Sequence, residues 1–160
     1  MYGADTSPTA EEVYLQYRQT VYRLAAVRLG SGFAAEDAVQ EVFLRYIRSA
    51  PLFTDEEHRK AWLIRTALNY CRSARNTAWA RHAVPLEEAA GSLPLESVSD
   101  VYRAVLELPE DLRTVIHLHY YEGYPVKEIA ALTSTREATV KTRLFRARER
   151  LRQALSEDDL

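Results

Sequence analysis

The sequence predicts an all-α chain of two small helical domains joined by a flexible linker, the second domain a helix-turn-helix. Three observations carry that prediction. Apolar residues recur at helical spacing through most of the 160 residues, with no alternating strand pattern, internal repeat or low-complexity tract among them. The periodicity lapses over residues 82–97, where AVPLEEAAGSLPLES holds two prolines, one glycine, two serines and three glutamates; this composition is that of a linker. Finally, Pro125 to Leu155 contains two apolar-periodic segments, VKEIAAL and ATVKTRLFRARERL, separated by a short polar step at Thr133, Ser134 and Thr135. So brief a step allows only a tight turn between helices. The boundaries are then a first domain over 9–81, the linker over 82–97 and a second domain over 98–156.

The first helix opens at Thr9, which forms a T-x-x-E capping box with Glu12, and it buries Val13, Tyr17, Val21 and Leu24 on one face. Gly30, Ser31 and Gly32 end it near Leu29. A second helix spans about Ala34 to Ser49, with Ala38 or Val39, Val42, Phe43, Tyr46 and Ile47 turned inward. Asp37, Gln40 and Glu41 stand at i, i+3 and i+4 and form a compact acidic-polar patch pointing away from that core. After the loop LFTDEE, a third helix runs from about Glu56 to Trp79, started by acids that suit the positive end of its dipole.

The third helix buries Ala61, Ile64, Ala67 or Leu68, and Cys71, and presents Trp62, Arg65, Asn69 and Arg72 on another face. An aromatic ring, an amide and guanidinium groups can stack on unpaired bases and hold their backbone. The same spacing fits equally well a Trp62 half-buried against the second helix and a solvated Asn69. Beyond the linker, Val98 to Leu106 reads as a short helix. Leu108-Pro109-Glu110-Asp111 starts the next, with Leu112, Val115, Ile116 and Tyr120 facing inward and Gly123 as its stop. In the last helix Val140, Leu144, Ala147 and Leu151 form the core stripe. Advancing about 100° per residue puts Thr142, Phe145 and Arg146 on the far side, flanked by Lys141 and Thr139. The tail SEDDL reads as frayed.

Charge is distributed in blocks. The net charge of −2 conceals +6 over residues 58–82 and +5 over residues 136–153, each flanked by acidic stretches, which points to two separate contacts with a polyanion. A hydrophobic content of 47% with 28% charged residues suits a globular protein with a buried core. The N-terminus has no basic and apolar leader pattern, and no run approaches 18 apolar residues, so no membrane insertion and a cytoplasmic location are expected. The single cysteine, Cys71, has no companion for a disulfide or metal site and reads as a small core residue. Catalysis has one weak candidate, His117, His119, Tyr120 and Tyr121. Two histidines two apart on a helix diverge by about 200° and cannot share a metal without distortion. Neither an enzyme nor a cofactor is expected.

Four segments, in this order, carry a family resemblance: AEDAVQEVFLRYIR, HRKAWLIRTALNYCR, LPEDLRTVIHLHYYEGYPVKEIA and ATVKTRLFRARERL. The chain from Glu11 to Leu155 resembles a bacterial RNA polymerase sigma factor of the extracytoplasmic-function group. The resemblance implies binding to core polymerase, with Asp37, Gln40 and Glu41 on the β′ clamp helices and a contact with the β flap. It implies −10 promoter recognition and strand opening by Trp62, Arg65, Asn69, Arg72 and Arg75, with Asn69 lining a pocket for a flipped-out base. It implies −35 recognition by Arg136, Thr139, Lys141, Thr142, Phe145 and Arg146. An anti-sigma protein is a further partner it suggests, and the linker corresponds to a segment threading the RNA exit path.

One departure concerns the turn. The family usually has glycine there and a small hydroxyl residue at the start of the recognition helix, where this chain has Ser134 and Arg136. Ser134 and Glu137 make an S-x-x-E box that would start the helix about two residues early. The competing reading is a stand-alone helix-turn-helix regulator that binds duplex DNA as a dimer, which would need a self-complementary interface or ligand pocket in the first domain.

Overall fold

The computed structural model describes residues 7–74 and 99–158, and these residues form seven helices and one π-helical turn without a strand. The linker, Arg75 and Trp79 lie outside the described residues. The first domain is a three-helix unit: α1 (Ala10–Leu29), α2 (Gly32–Ser49) and α3 (Glu56–Ala74). The cap expected at α1 is present, since Thr9 Oγ1 accepts from the Glu12 amide at 3.2 Å, and Gly30 closes the helix in the left-handed conformation. Ser31 caps α2 through the Ala34 amide, so α2 begins two residues before the expected Ala34. Val13, Val21, Leu24, Val42, Leu63 and Ile64 fill the centre of this unit, and Cys71 joins a small-residue cluster with Ala25, Ala26, Ala35 and Ala38.

Ile47 is 60% exposed, contrary to the inward position read from the sequence. Tyr46 takes the inner place at that end of α2, with its ring 6.1 Å from Phe53 and 5.8 Å from Trp62. The next residue, about 100° further round, is left pointing outward.

The second domain comprises α4 (Asp100–Leu106), α5 (Glu110–Ile116), the π-helical turn His117–Tyr121, α6 (Val126–Thr133) and α7 (Glu137–Asp158). The π turn corrects a second expectation. Tyr120 is 60% exposed because the Glu122 amide bonds back five residues to the His117 carbonyl, and the wider turn delays each following side chain relative to an α-helical wheel. Leu118, fully buried, takes the core position instead. Gly123 ends this stretch at φ +79°, which an L side chain rarely adopts. The last helix continues to Asp158, past the point at which the tail reads as frayed.

At the turn before α7, Ser134 itself adopts the left-handed conformation at φ 55° and ψ 42°, closing α6 rather than capping α7. The expected S-x-x-E start is therefore not formed. Helix α7 begins at Glu137, with the Val140 amide bonding to the Arg136 carbonyl. Ser134→Gly should relieve this backbone cost and raise stability by about 0.5–1 kcal/mol. A higher urea midpoint at an unchanged slope would show it.

The two domains pack against each other, and the buried apolar cluster runs through both. Helix α1 meets α5 through Arg28, whose Nε stands 2.7 Å from Glu110 Oε1 with side chains 11% and 6% exposed. Its Nη1 donates to Thr114 Oγ1 at 2.9 Å, and Arg113 Nη2 donates to the Arg28 carbonyl. Lys60 on α3 reaches Glu122 at 3.2 Å.

Candidate nucleic-acid interface

On α3, Trp62, Thr66 and Asn69 recur at spacings of four and three and line one shallow concavity together with Arg45, Arg48 and Ser49 from the end of α2. It is wide open to solvent, with a volume of about 390 Å³. Trp62 is half-buried, held edge-on by Tyr46 and Phe53, whereas Asn69 is exposed. Of the alternatives left open by the sequence, a half-buried Trp62 with a solvated Asn69 is the arrangement present; the indole is braced by packing and still borders the concavity. A braced aromatic ring offers a stacking surface with little conformational entropy left to lose, and an exposed amide offers both donor and acceptor. Arg65 is exposed but does not line this concavity. Arg72 lines a separate cleft with Arg28, Thr114, Thr135 and Arg143, where the domains meet.

The acidic-polar patch on α2 points outward, with Asp37 and Gln40 exposed and Glu41 partly covered. Glu41 Oε1 accepts from Arg45 Nε at 3.1 Å. Arg45 in turn lies over the ring of Tyr70, 5.8 Å from its centroid. Burial first, then the charges of Asp37 and Glu41 with Cys71 nearby, raise the Tyr70 phenol above its ordinary value, and Arg45 opposes them. Tyr70 thus stands beside both the patch and the guanidinium.

In the second domain, Val140, Leu144 and Ala147 anchor α7 in the core. Arg136, Lys141, Thr142, Phe145 and Arg146 are exposed and Thr139 is half-exposed, as the helical wheel requires. Phe145 exposes 63% of its surface, uncommon for an aromatic side chain without a partner to cover it. Three other basic residues of α7 are held: Arg143 stands 3.6 Å from Asp111, Arg152 pairs with Glu149, and Arg148 donates to Tyr120 Oη at 2.5 Å. Among the described residues, Arg136, Lys141, Arg146 and Arg150 are exposed and in no ion pair, so their charge faces solvent.

Residues 13–81 match the family model for sigma-70 region 2, and residues 99–151 match that for sigma-70 region 4. The Bacillus subtilis RNA polymerase sigma factor SigV is 30% identical over 148 residues, covering 90% of this chain and 89% of the relative. The chain belongs to the extracytoplasmic-function sigma factors. The Mycobacterium tuberculosis sigma factor SigM is 29% identical to it, over 91% of this chain and 76% of SigM. In fold, the sigma factor is similar to RpoE of Bartonella quintana, solved with the anti-sigma factor NepR. The TM-score is 0.68 at 22% identity, over 91% of this chain and 96% of RpoE.

As a sigma factor, the protein binds core RNA polymerase and directs promoter-specific initiation of transcription. The reading as a stand-alone dimeric regulator is not favoured, because the first domain matches a polymerase-associated region. Among the described residues, no helix of the sigma factor is long and apolar enough to cross a membrane. Four residues of the concavity escaped the sequence reading. Thr66 lies at the helical interval between Trp62 and Asn69, and a wheel could have found it. Arg45, Arg48 and Ser49 sit on a different helix and become neighbours of Asn69 only through packing.

Proposed function

We propose that the sigma factor grips a promoter at two places with the residues described above. Asp37, Gln40 and Glu41 dock on the β′ clamp helices. The concavity takes an unpaired −10 base against Trp62 and Asn69, and α7 enters the major groove of the −35 element with Arg136, Thr139, Lys141, Thr142, Phe145 and Arg146. Arg65, Arg72 and Arg75 serve the backbone of the separated strand, Arg72 once the cleft between the domains is available to DNA. Bond-making belongs to the polymerase, and the site of action is the cytoplasm, where polymerase and promoter are. The β flap is the second polymerase contact. An anti-sigma partner is supported by the complex of the similar Bartonella quintana protein.

The observation that carries this reading is the concavity itself, in which a braced indole and an exposed amide from α3 meet two guanidiniums from α2. Extruding a base costs a few kcal/mol, which such a surface can return through stacking and hydrogen bonds. Run-off transcription tests it with core polymerase and a promoter mapped by overexpressing the chain. Product is expected only when all three components are present, and no product from a mapped promoter would overturn the assignment. With Asn69→Ala, permanganate reactivity of the opened strand should fall about tenfold while initial duplex binding changes little, a stacked or paired base being worth about 1–3 kcal/mol. Unchanged opening would remove Asn69 from the site.

A further inference from the structure

Arg45 belongs to two surfaces at once. Its Nε is bonded to Glu41, a member of the acidic-polar patch, at 3.1 Å, and its side chain also lines the concavity with Arg48, Trp62, Thr66 and Asn69. The pair is a single i, i+4 bridge with Arg45 40% and Glu41 33% exposed, so it is worth little and exchanges readily. One turn of helix therefore joins the surface assigned to polymerase and the surface assigned to the separated strand. A guanidinium held by a carboxylate presents less positive potential to a phosphate than one whose carboxylate is engaged elsewhere.

We propose that Arg45 is a strand-binding residue that Glu41 holds back until polymerase takes Glu41, leaving the Arg45 guanidinium to pair with a phosphate beside the concavity. The Tyr70 ring beneath Arg45 keeps the guanidinium near both sites while it changes partner. Exchange of one acidic partner for another conserves charge: the clamp receives the Glu41 carboxylate, and the DNA phosphate replaces it at Arg45. The coupling is reciprocal, so a bound strand also makes Glu41 more available to polymerase. This inference rests on the proposed roles of the α2 patch and the α3 concavity.

The test uses the full chain without polymerase and a short fluorescein-labelled single strand of random sequence, with binding read by anisotropy at low ionic strength. Glu41→Gln should tighten binding by up to about fivefold, the most that an exposed ion pair is worth. Glu36→Gln removes the same charge from an exposed position on the same helix and should change binding little. In the Glu41→Gln/Arg45→Ala double variant the gain should vanish. No gain from Glu41→Gln, an equal gain from Glu36→Gln, or a gain that survives removal of Arg45 would each overturn the proposal. Asn69→Ala in the same assay separates the two levels. Weaker binding there with no gain from Glu41→Gln refutes the exchange alone, whereas unaffected binding refutes the concavity as the strand site and the exchange with it.

Discussion

Arg28→Ala should destabilise the protein by about 3 kcal/mol or more and loosen the packing of its two domains. The substitution removes the guanidinium that stands 2.7 Å from the Glu110 carboxylate, and that carboxylate is only 6% exposed. Losing Arg28 takes the guanidinium at 2.7 Å away from a carboxylate in a medium that solvates charge badly, and that penalty exceeds the net worth of the intact pair. The hydrogen bond to Thr114 and the weaker contact with Asp111 go as well, while the Arg28 carbonyl that accepts from Arg113 is retained. Urea denaturation should show a lower midpoint. In a double-mutant cycle with Glu110→Gln, the combined loss should be smaller than the sum of the single losses. Strict additivity would mean that the two side chains do not act as a pair. Arg28→Lys should recover only part of the loss, because a single ammonium cannot reach Glu110, Asp111 and Thr114 as a guanidinium does.

Acid should weaken the fold in a window set by His117. This side chain is 7% exposed and stacked on Tyr121 at 5.0 Å, and Arg23 lies over the same Tyr121 ring. Burial, reinforced by the positive charge of Arg23, lowers its pKa from 6.5 to about 4. Glu122 Oε1 lies 3.8 Å from Nε2, beyond hydrogen-bond reach, and the same carboxylate serves Lys60, so it does not reverse the shift. Between about pH 4 and 6.5 the unfolded chain therefore binds a proton that the folded chain refuses, and stability falls as pH falls through that range. The full effect is on the order of 3 kcal/mol, at roughly tenfold in the unfolding equilibrium per pH unit inside the window. Above about pH 6.5 the contribution is complete and flat. Urea midpoints taken from pH 7 down to 5, where most carboxylates remain ionised, should decline for the wild type and flatten for His117→Gln. Parallel slopes would assign the acid sensitivity elsewhere.

Much of this architecture was legible in the residues, and the gaps have physical causes. Thr9 with Glu12, the glycine stops and the 140–144–147 stripe are local signals, since caps and helical periodicity act within a turn or two of chain. The outward placement of Lys141, Thr142, Phe145 and Arg146 followed from the same periodicity. Tyr120 was misplaced because a helical wheel assumes one angle per residue, and a five-residue turn breaks that assumption without any marker in HLHYY. Ser134 shows the converse: the sequence offered a cap, and only the backbone could show that the chain instead accepts φ 55° there. The meeting of Arg28 with Glu110 was beyond reach, because no periodicity relates residues so far apart. Arg45 was overlooked for a related reason, since its importance lies in what another helix brings beside it.

Cys71 gives the folded chain a built-in clock. Its thiol is wholly inaccessible, and burial pushes its pKa up to about 12, with the Arg28 and Glu110 charges close enough to act on it in opposite directions. Alkylating reagents attack the thiolate, and in the closed molecule almost none exists at neutral pH. Modification must wait for a fluctuation that admits water to this spot. As the chain's sole sulfhydryl, it makes the rate of maleimide uptake a direct count of how often the protein breathes where its halves join.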